Sequence, residues 1–339
     1  MKKLQSKTLL DAIRSVSQNT FNVKTIVQNT KVNELQLNDT SKKITRKSLQ
    51  AGKKLKKEAS KIPGWYEYNK VFNINYDEPT SSEINSSNHF FNSADTKYEW
   101  SVGNFTDIPG EKLRKKYEAR TTNSSNEAGL KKKYPGKTYV PFELVNGLPE
   151  VTFLGKSNVG KSTLLNNLTT DLKNSALNVF AKASKRAGFT KTLNSFNIGN
   201  RVRFIDTPGY GYRSSLEQGD LTTEYLLHRK ELVRSFLLIS GEQGIGELDK
   251  AIIDFMHQNG VPFEIVFTKM DKVDNLVKFR ESIDESGLLN LPTLPRLIFT
   301  NAYTSKTCSK RYGVDLLRSI ILQSCGLQSG LKSSRKKQK

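Results

Sequence analysis

From about residue 150 onward the chain alternates short apolar runs with stretches whose apolar residues recur three and four positions apart. Val151-Thr152-Phe153-Leu154 is the first run, and Leu164, Leu165 and Leu168 then fall on one helical face. Leu193 to Ile198 and Val202 to Ile205 alternate apolar with polar around Gly199-Asn200, a pair suited to a tight hairpin. Ser235 to Ser240 is another apolar run. Glu247 to Gln258 then repeats Leu248, Ile252, Ile253 and Met256 at helical spacing until Asn259-Gly260 stops it. Pro262 to Phe267 and Arg296 to Phe299 predict two more strands, and Gly313 to Ser324 predicts a closing helix with Val314, Leu317, Ile320 and Ile321 inward. Strands alternating with helices predict an α/β fold, a mostly parallel sheet flanked by helices with its ligand beyond the strands' carboxyl ends.

Chemistry is placed at those ends. Gly155-Lys156-Ser157-Asn158-Val159-Gly160-Lys161-Ser162, followed by Thr163, satisfies the phosphate-loop pattern GxxxxGK[ST] between a strand and a helix. Glycines let successive N–H groups turn inward as an anion cradle, and the helix N-terminus adds its partial positive charge. Lys161 is then expected to reach the β- and γ-phosphates and Ser162 to ligate Mg²⁺. Without partner motifs this would be a plain Gly-rich turn. Asp206-Thr207-Pro208-Gly209 supplies one: Asp206 is placed for Mg²⁺, and Gly209 lets its N–H approach the γ-phosphate. Thr268-Lys269-Met270-Asp271 supplies another. Asp271 can accept from both N1–H and the amine of guanine while the Lys269 stem lies along the base, which disfavours a nucleotide kinase or ATPase. Thr300-Asn301-Ala302 follows the last strand, where a backbone N–H could meet guanine O6.

Charge changes the picture. Of 339 residues, 54 are Lys or Arg against 33 Asp or Glu, a formal net charge of +21, so a polyanion is the expected partner: RNA, DNA or anionic membrane. Cys308 and Cys325 with three histidines offer neither a disulfide framework nor zinc-ligand spacing. No stretch approaches the roughly 20 apolar residues of a membrane span. Residues 1–33 are basic, hydroxyl-rich and acid-poor, with Leu9, Leu10, Ile13 and Val16 on one helical face, as in a mitochondrial transit peptide or an ordinary surface helix. Residues 34–88 read as a basic, low-complexity, partly disordered extension. Its lysine-dense run spans Lys42 to Lys61, and Trp65, Tyr66, Tyr68 and Phe72 are placed either to stack on bases or to pack on the neighbouring domain. Thr80 to Asn88 reads as linker. A second basic stretch, Lys112 to Lys137, reads as loop, and residues 328–339 form a basic tail.

The segments GKSNVGKST, AKASKRAGFTKTLNSFNI, FIDTPGYGYR, PFEIVFTKMDK and FTNA, in that order, resemble the EngB (YihA) family of ribosome-assembly GTPases over about Phe91 to Leu327. The resemblance implies a Ras-like P-loop GTPase domain over 89–327, with an insertion at about 100–140, acting in assembly of the large ribosomal subunit. It also implies Thr190 as the switch I threonine that joins Mg²⁺. The chain departs from the family at Ala187-Gly188-Phe189, at Ser240 where an Asp is usual, and in a longer insertion from Thr304 to Tyr312. The basic extension points to a fungal mitochondrial branch, with a cytoplasmic location as the other possibility. The expectation is a monomeric, Mg²⁺-dependent GTPase with Lys161, Thr190 and Gly209 as catalytic residues, binding ribosomal RNA or a pre-ribosomal large subunit. Tyr210 stands where many Ras-like GTPases have the water-orienting Gln, so unassisted turnover is expected to be slow. Asn158 matches an asparagine that holds K⁺ in related GTPases, or it braces the loop. The alternative is a non-catalytic RNA-binding scaffold with GTP as a structural ligand.

Overall fold

Each apolar run forms a strand of one seven-stranded sheet. The structure, a computed structural model, describes residues 62–115, 147–174, 176–181, 192–210, 216–305 and 308–327, all within a compact unit spanning 61–339. The presequence-like start, the run 42–61, Thr190 and the basic tail lie outside the described residues, as does the insertion from 116 to 146. The strands are β1 (Thr96–Val102), β2 (Glu150–Gly155), β3 (Leu193–Ile198), β4 (Val202–Asp206), β5 (Leu232–Ser240), β6 (Phe263–Thr268) and β7 (Leu297–Phe299), in the spatial order β1-β3-β4-β2-β5-β6-β7. The five from β4 to β7 in that order run parallel, whereas β3 is antiparallel to both β1 and β4. The hairpin between β3 and β4 turns at Gly199 and Asn200, both at positive φ as the sequence pair predicts.

Because alternate strand residues face opposite sides, the sheet sorts its apolar residues into two cores. Val151, Phe153, Phe204, Phe236 and Leu238 face helices α2 (Ser81–Ser93), α3 (Lys161–Thr169) and α7 (Val314–Ser324). Leu154, Ile205, Leu237, Ile239 and Phe267 face α4 (Leu216–His228), α5 (Glu247–Gln258) and α6 (Leu276–Glu285). At the end of the sheet away from the phosphate loop, Arg229 is buried among carboxylates, 2.6 Å from Glu150 and 3.2 Å from Glu231.

The stretch read as linker is corrected. Thr80 to Asn88 opens helix α2, because the Thr80 hydroxyl accepts from the Glu83 N–H at 3.3 Å and the Glu83 carboxylate accepts from the Thr80 N–H at 2.7 Å. That reciprocal cap, with Phe90 and Phe91 buried one turn further on, outweighs the polar composition. Asn88 and Asn92 of the same helix accept from the fully buried Arg318 guanidinium, each at 3.0 Å. The aromatics before it pack inward: Trp65 is buried, and Tyr68 and Phe72 contact the Phe299 ring.

Between these aromatics, Asn69 and Asn73 of the one-turn helix α1 (Tyr68–Val71) and its end cover the free edge of β7. Asn69 accepts from the Phe299 N–H at 2.9 Å and donates to its carbonyl at 3.2 Å; Asn73 does the same at Leu297, at 3.0 and 2.7 Å. Two side-chain amides thereby replace a neighbouring strand. The described residues carry 22 Lys and Arg against 26 Asp and Glu, so the chain's positive surplus lies outside them. Among the described residues, no helix is long and apolar enough to cross a membrane.

Candidate functional site

Four loops at the carboxyl ends of β2, β4, β6 and β7 converge. Gly155 ends β2 where a Cβ would lie 2.7 Å from Val159 Cγ1 and 2.8 Å from the Leu238 carbonyl, so the close approach requires glycine. Asn158 and Gly160, at φ 65° and 109°, turn the chain through left-handed conformations into α3, which begins at Lys161 with Ser162 and Thr163 in its first turn. This winding aims backbone N–H groups into a concavity at a helix N-terminus. Lys161 is buried across it, its ammonium donating to the carbonyls of Gly155 at 2.9 Å and Lys156 at 3.3 Å. Burial lowers the Lys161 pKa, against the opposing pull of Asp206.

Asp206, the last residue of β4, sits opposite Phe153 of β2 and is 3% exposed. Its Oδ2 accepts from the Ser162 hydroxyl at 3.3 Å, while Oδ1 is buried without a hydrogen-bond partner. Burial pushes its carboxyl up to about 6, although Lys161 and Ser162 pull the other way. A hydroxyl oxygen next to a carboxylate with an unpartnered buried oxygen is the hard donor set that Mg²⁺ takes, so these residues fit the metal. Thr207 ties the strand end down by donating to the Phe153 carbonyl at 2.9 Å. Gly209 then passes so close to the loop that a Cβ would meet Ser157 Oγ at 2.9 Å and Lys161 Nζ at 3.1 Å.

The base-reading side is tied to the phosphate side. Thr268 ends β6 and donates to the Val159 carbonyl at 2.8 Å, and the Lys269 ammonium donates to the Asn158 carbonyl at 3.0 Å. Lys269 is left-handed at φ 56°, which turns the chain toward the half-buried Asp271. After β7, Thr300 accepts from the Met270 N–H at 3.2 Å, so the two base loops are joined. Asn301 is buried and serves as a brace, donating to the Tyr303 and Lys310 carbonyls and accepting from the Tyr312 N–H at 2.7 Å. Asn167 of α3 donates to the Ala302 carbonyl at 3.3 Å. The geometry thus brings together the phosphate loop, the turn from Asp206 to Gly209 and the loops after β6 and β7 that carry the predicted residues; Thr190 lies outside the described residues.

Sequence reasoning missed Asp249. This α5 residue is 1% exposed and accepts from the Tyr210 hydroxyl at 2.8 Å, from the Lys156 ammonium at 2.6 Å and from the Gly246 N–H at 2.8 Å. The only signal in the sequence was its position three residues into the helix, which reads as an N-terminal cap.

A mostly parallel sheet carrying a phosphate loop, a buried carboxylate beside the loop's serine, and a TKxD loop tied to the phosphate loop defines a P-loop GTP-binding protein. A family model described as MMR_HSR1, 50S ribosome-binding GTPase, matches residues 150–269. The chain is 47% identical over 311 residues to MIOREX complex component 8 of Saccharomyces cerevisiae, covering 90% of this chain and 95% of that protein. It is 40% identical over 141 residues to a protein of Prosthecochloris aestuarii and 35% identical over 191 residues to one of Roseobacter denitrificans, covering 70% and 82% of those proteins and 40% and 52% of this chain. Both carry the name Probable GTP-binding protein EngB. The chain belongs to the EngB family of GTP-binding proteins, and membership implies GTP and Mg²⁺ as its ligands.

Proposed function

We propose that this protein hydrolyses GTP with Mg²⁺ and uses the nucleotide to time its association with ribosomal RNA or a precursor of the large ribosomal subunit in mitochondria. The observation that carries the reading is Asp206, whose unpartnered buried oxygen lies beside Ser162 and the Lys161 ammonium at the mouth of the phosphate loop. Backbone groups from Gly155 to Thr163 cradle phosphates. Lys161 and Gly209 would oppose the charge that develops on transfer, and Ser162, Asp206 and Thr190 would hold Mg²⁺, which would neutralise that charge. Thr268, Lys269, Asp271 and the stretch Thr300-Asn301-Ala302 select guanine.

The ribosomal part rests on the description of the matching family model and on the name of the yeast relative. The mitochondrial part rests on that relative and on the presequence-like residues 1–33. Tyr210 has no amide with which to orient water, so unassisted turnover is of the order of 10⁻⁴ to 10⁻³ per second and rises when a partner or a K⁺ ion held near Asn158 completes the site. Cosedimentation of the full chain with ribosomal particles from a mitochondrial extract tests the reading. Large subunits or their precursors should retain the protein with a non-hydrolysable GTP analogue and release it with GDP, and they should speed hydrolysis. Equal retention with GTP analogue, GDP and no nucleotide, without stimulation, would favour a scaffold; flotation with anionic liposomes instead would refute the ribosomal reading.

A further inference from the structure

The Asp249 carboxylate joins three separate segments of the chain: the phosphate loop through Lys156, the segment after the DxxG glycine through Tyr210, and the start of α5 through Gly246. The Asp249 side chain is 1% exposed and the Tyr210 hydroxyl is itself largely buried, so the bond between them is shielded from bulk water, whereas the Lys156 side chain is partly exposed. The backbone repeats the attachment. The Ser157 N–H donates to the Tyr210 carbonyl at 3.3 Å, and Lys156 and Tyr210 pair as an isolated parallel bridge. Gly209 is pressed against Ser157 and the Lys161 ammonium with no room for a methyl group. The segment that a third phosphate must reorder is therefore already docked on the phosphate loop, and it is pinned there by a side chain from another element.

We propose that Asp249 is a positioning residue for this switch: by holding Tyr210 and Lys156 together it stabilises the docked arrangement and thereby favours the diphosphate over the triphosphate. This rests on the GTP reading above and adds its regulation. The triphosphate is read through the Gly209 N–H, which must turn toward the third phosphate, and that movement pulls on the Tyr210 backbone and on its hydroxyl bond. A phenol bonded to a buried carboxylate is among the stronger neutral-to-charged hydrogen bonds, so its loss is large enough to shift a two-state equilibrium measurably. A mere structural brace would affect both nucleotides equally, because it would not distinguish the two positions of the switch.

Dissociation constants of fluorescent GDP and of a fluorescent, non-hydrolysable GTP analogue, measured on the full chain, test the proposal. Tyr210→Phe keeps the ring and removes only the hydroxyl. It should tighten the GTP analogue about threefold to tenfold relative to GDP. Asp249→Ala, which removes both carboxylate oxygens, should shift the ratio the same way, and adding Tyr210→Phe to it should change little, since both changes break the Tyr210 connection. If Asp249→Ala does not fold, Tyr210→Phe alone decides. An unchanged ratio, equal weakening of both nucleotides, or additive shifts would overturn the latch while leaving guanine binding intact. Absence of guanine-nucleotide binding by the unaltered protein would instead overturn the GTP reading itself.

Discussion

The proposed guanine reading rests on one carboxylate. Asp271→Asn exchanges an acceptor for a donor, so GTP affinity should fall by at least about a hundredfold and xanthosine nucleotides should gain, as competition between the two triphosphates would show. Lys161→Ala should abolish tight triphosphate binding, and Ser162→Ala should chiefly raise the Mg²⁺ needed; normal hydrolysis in both would mean that the phosphate loop is misassigned. Asp206 gives a pH prediction. Its folded carboxyl titrates at about 6, above the ordinary value near 4, so the folded protein holds a proton that the unfolded chain releases. The stability this contributes, about 3 kcal/mol, is complete below pH 4 and is lost as pH rises through 6. Without nucleotide and Mg²⁺, thermal unfolding should therefore occur at higher temperature at pH 5 than at pH 7, and Asp206→Asn should reduce the difference. The proposed phosphate and base residues, with Ser162 and Asp206, could be named from the sequence because their spacing within a few residues of chain is itself the chemical requirement, whereas Thr190 came only from the family resemblance. Asp249 and the brace role of Asn301 could not, because their partners come from distant segments that no local pattern names.

Elements divide along a similar line. The strands β2 to β7 and helices α3 and α7 announce themselves by apolar periodicity, since each buries a full face, and α5 does so by its spacing although it buries only Ile253 and Met256 of its apolar stripe and leaves Leu248 exposed. Helix α2 hides behind Ser and Asn, α6 buries only Phe279 and Ile283, and of β1 only Val102 is buried, so their patterns are too sparse to read. What fixes α2 is tertiary. Arg318 donates to the Leu168 and Thr170 carbonyls as well as to Asn88 and Asn92, and Arg318→Met would leave those acceptors buried and unpaired. A loss of about 3 kcal/mol in urea unfolding is expected. Asn73→Ala should cost about 1 to 3 kcal/mol by uncovering the Leu297 N–H and carbonyl, and light scattering should rise as the bared β7 edge pairs between molecules.

At the scale of the whole molecule, the described part of the chain is slightly acidic, and the positive charge is carried by segments outside the described residues, at both ends and within the nucleotide-binding range. Affinity for ribosomal particles should fall steeply with salt, each neutralised phosphate adding roughly 0.7 to 0.9 to the log–log slope, and removing residues 332–339 should flatten that slope without altering GTP affinity. The boundary placed at residue 88 shifts as well. Removing 1–88 takes Trp65, the two edge-covering asparagines and more than half of α2, and should cost several kcal/mol. The edge cover on β7 also sets a clock. Asn73 and Leu297 are 224 positions apart, so at about 5 to 20 residues per second a growing chain carries its early aromatics unpartnered for roughly 10 to 45 seconds before the strand they close on has been made. During that interval the segment around Trp65 lacks the partners it packs on in the folded protein. A nascent chain halted near residue 295 should keep Trp65 fluorescence at its water-exposed wavelength, and extending synthesis past Tyr312, whose ring it meets at 6.3 Å, should shift the emission to the blue.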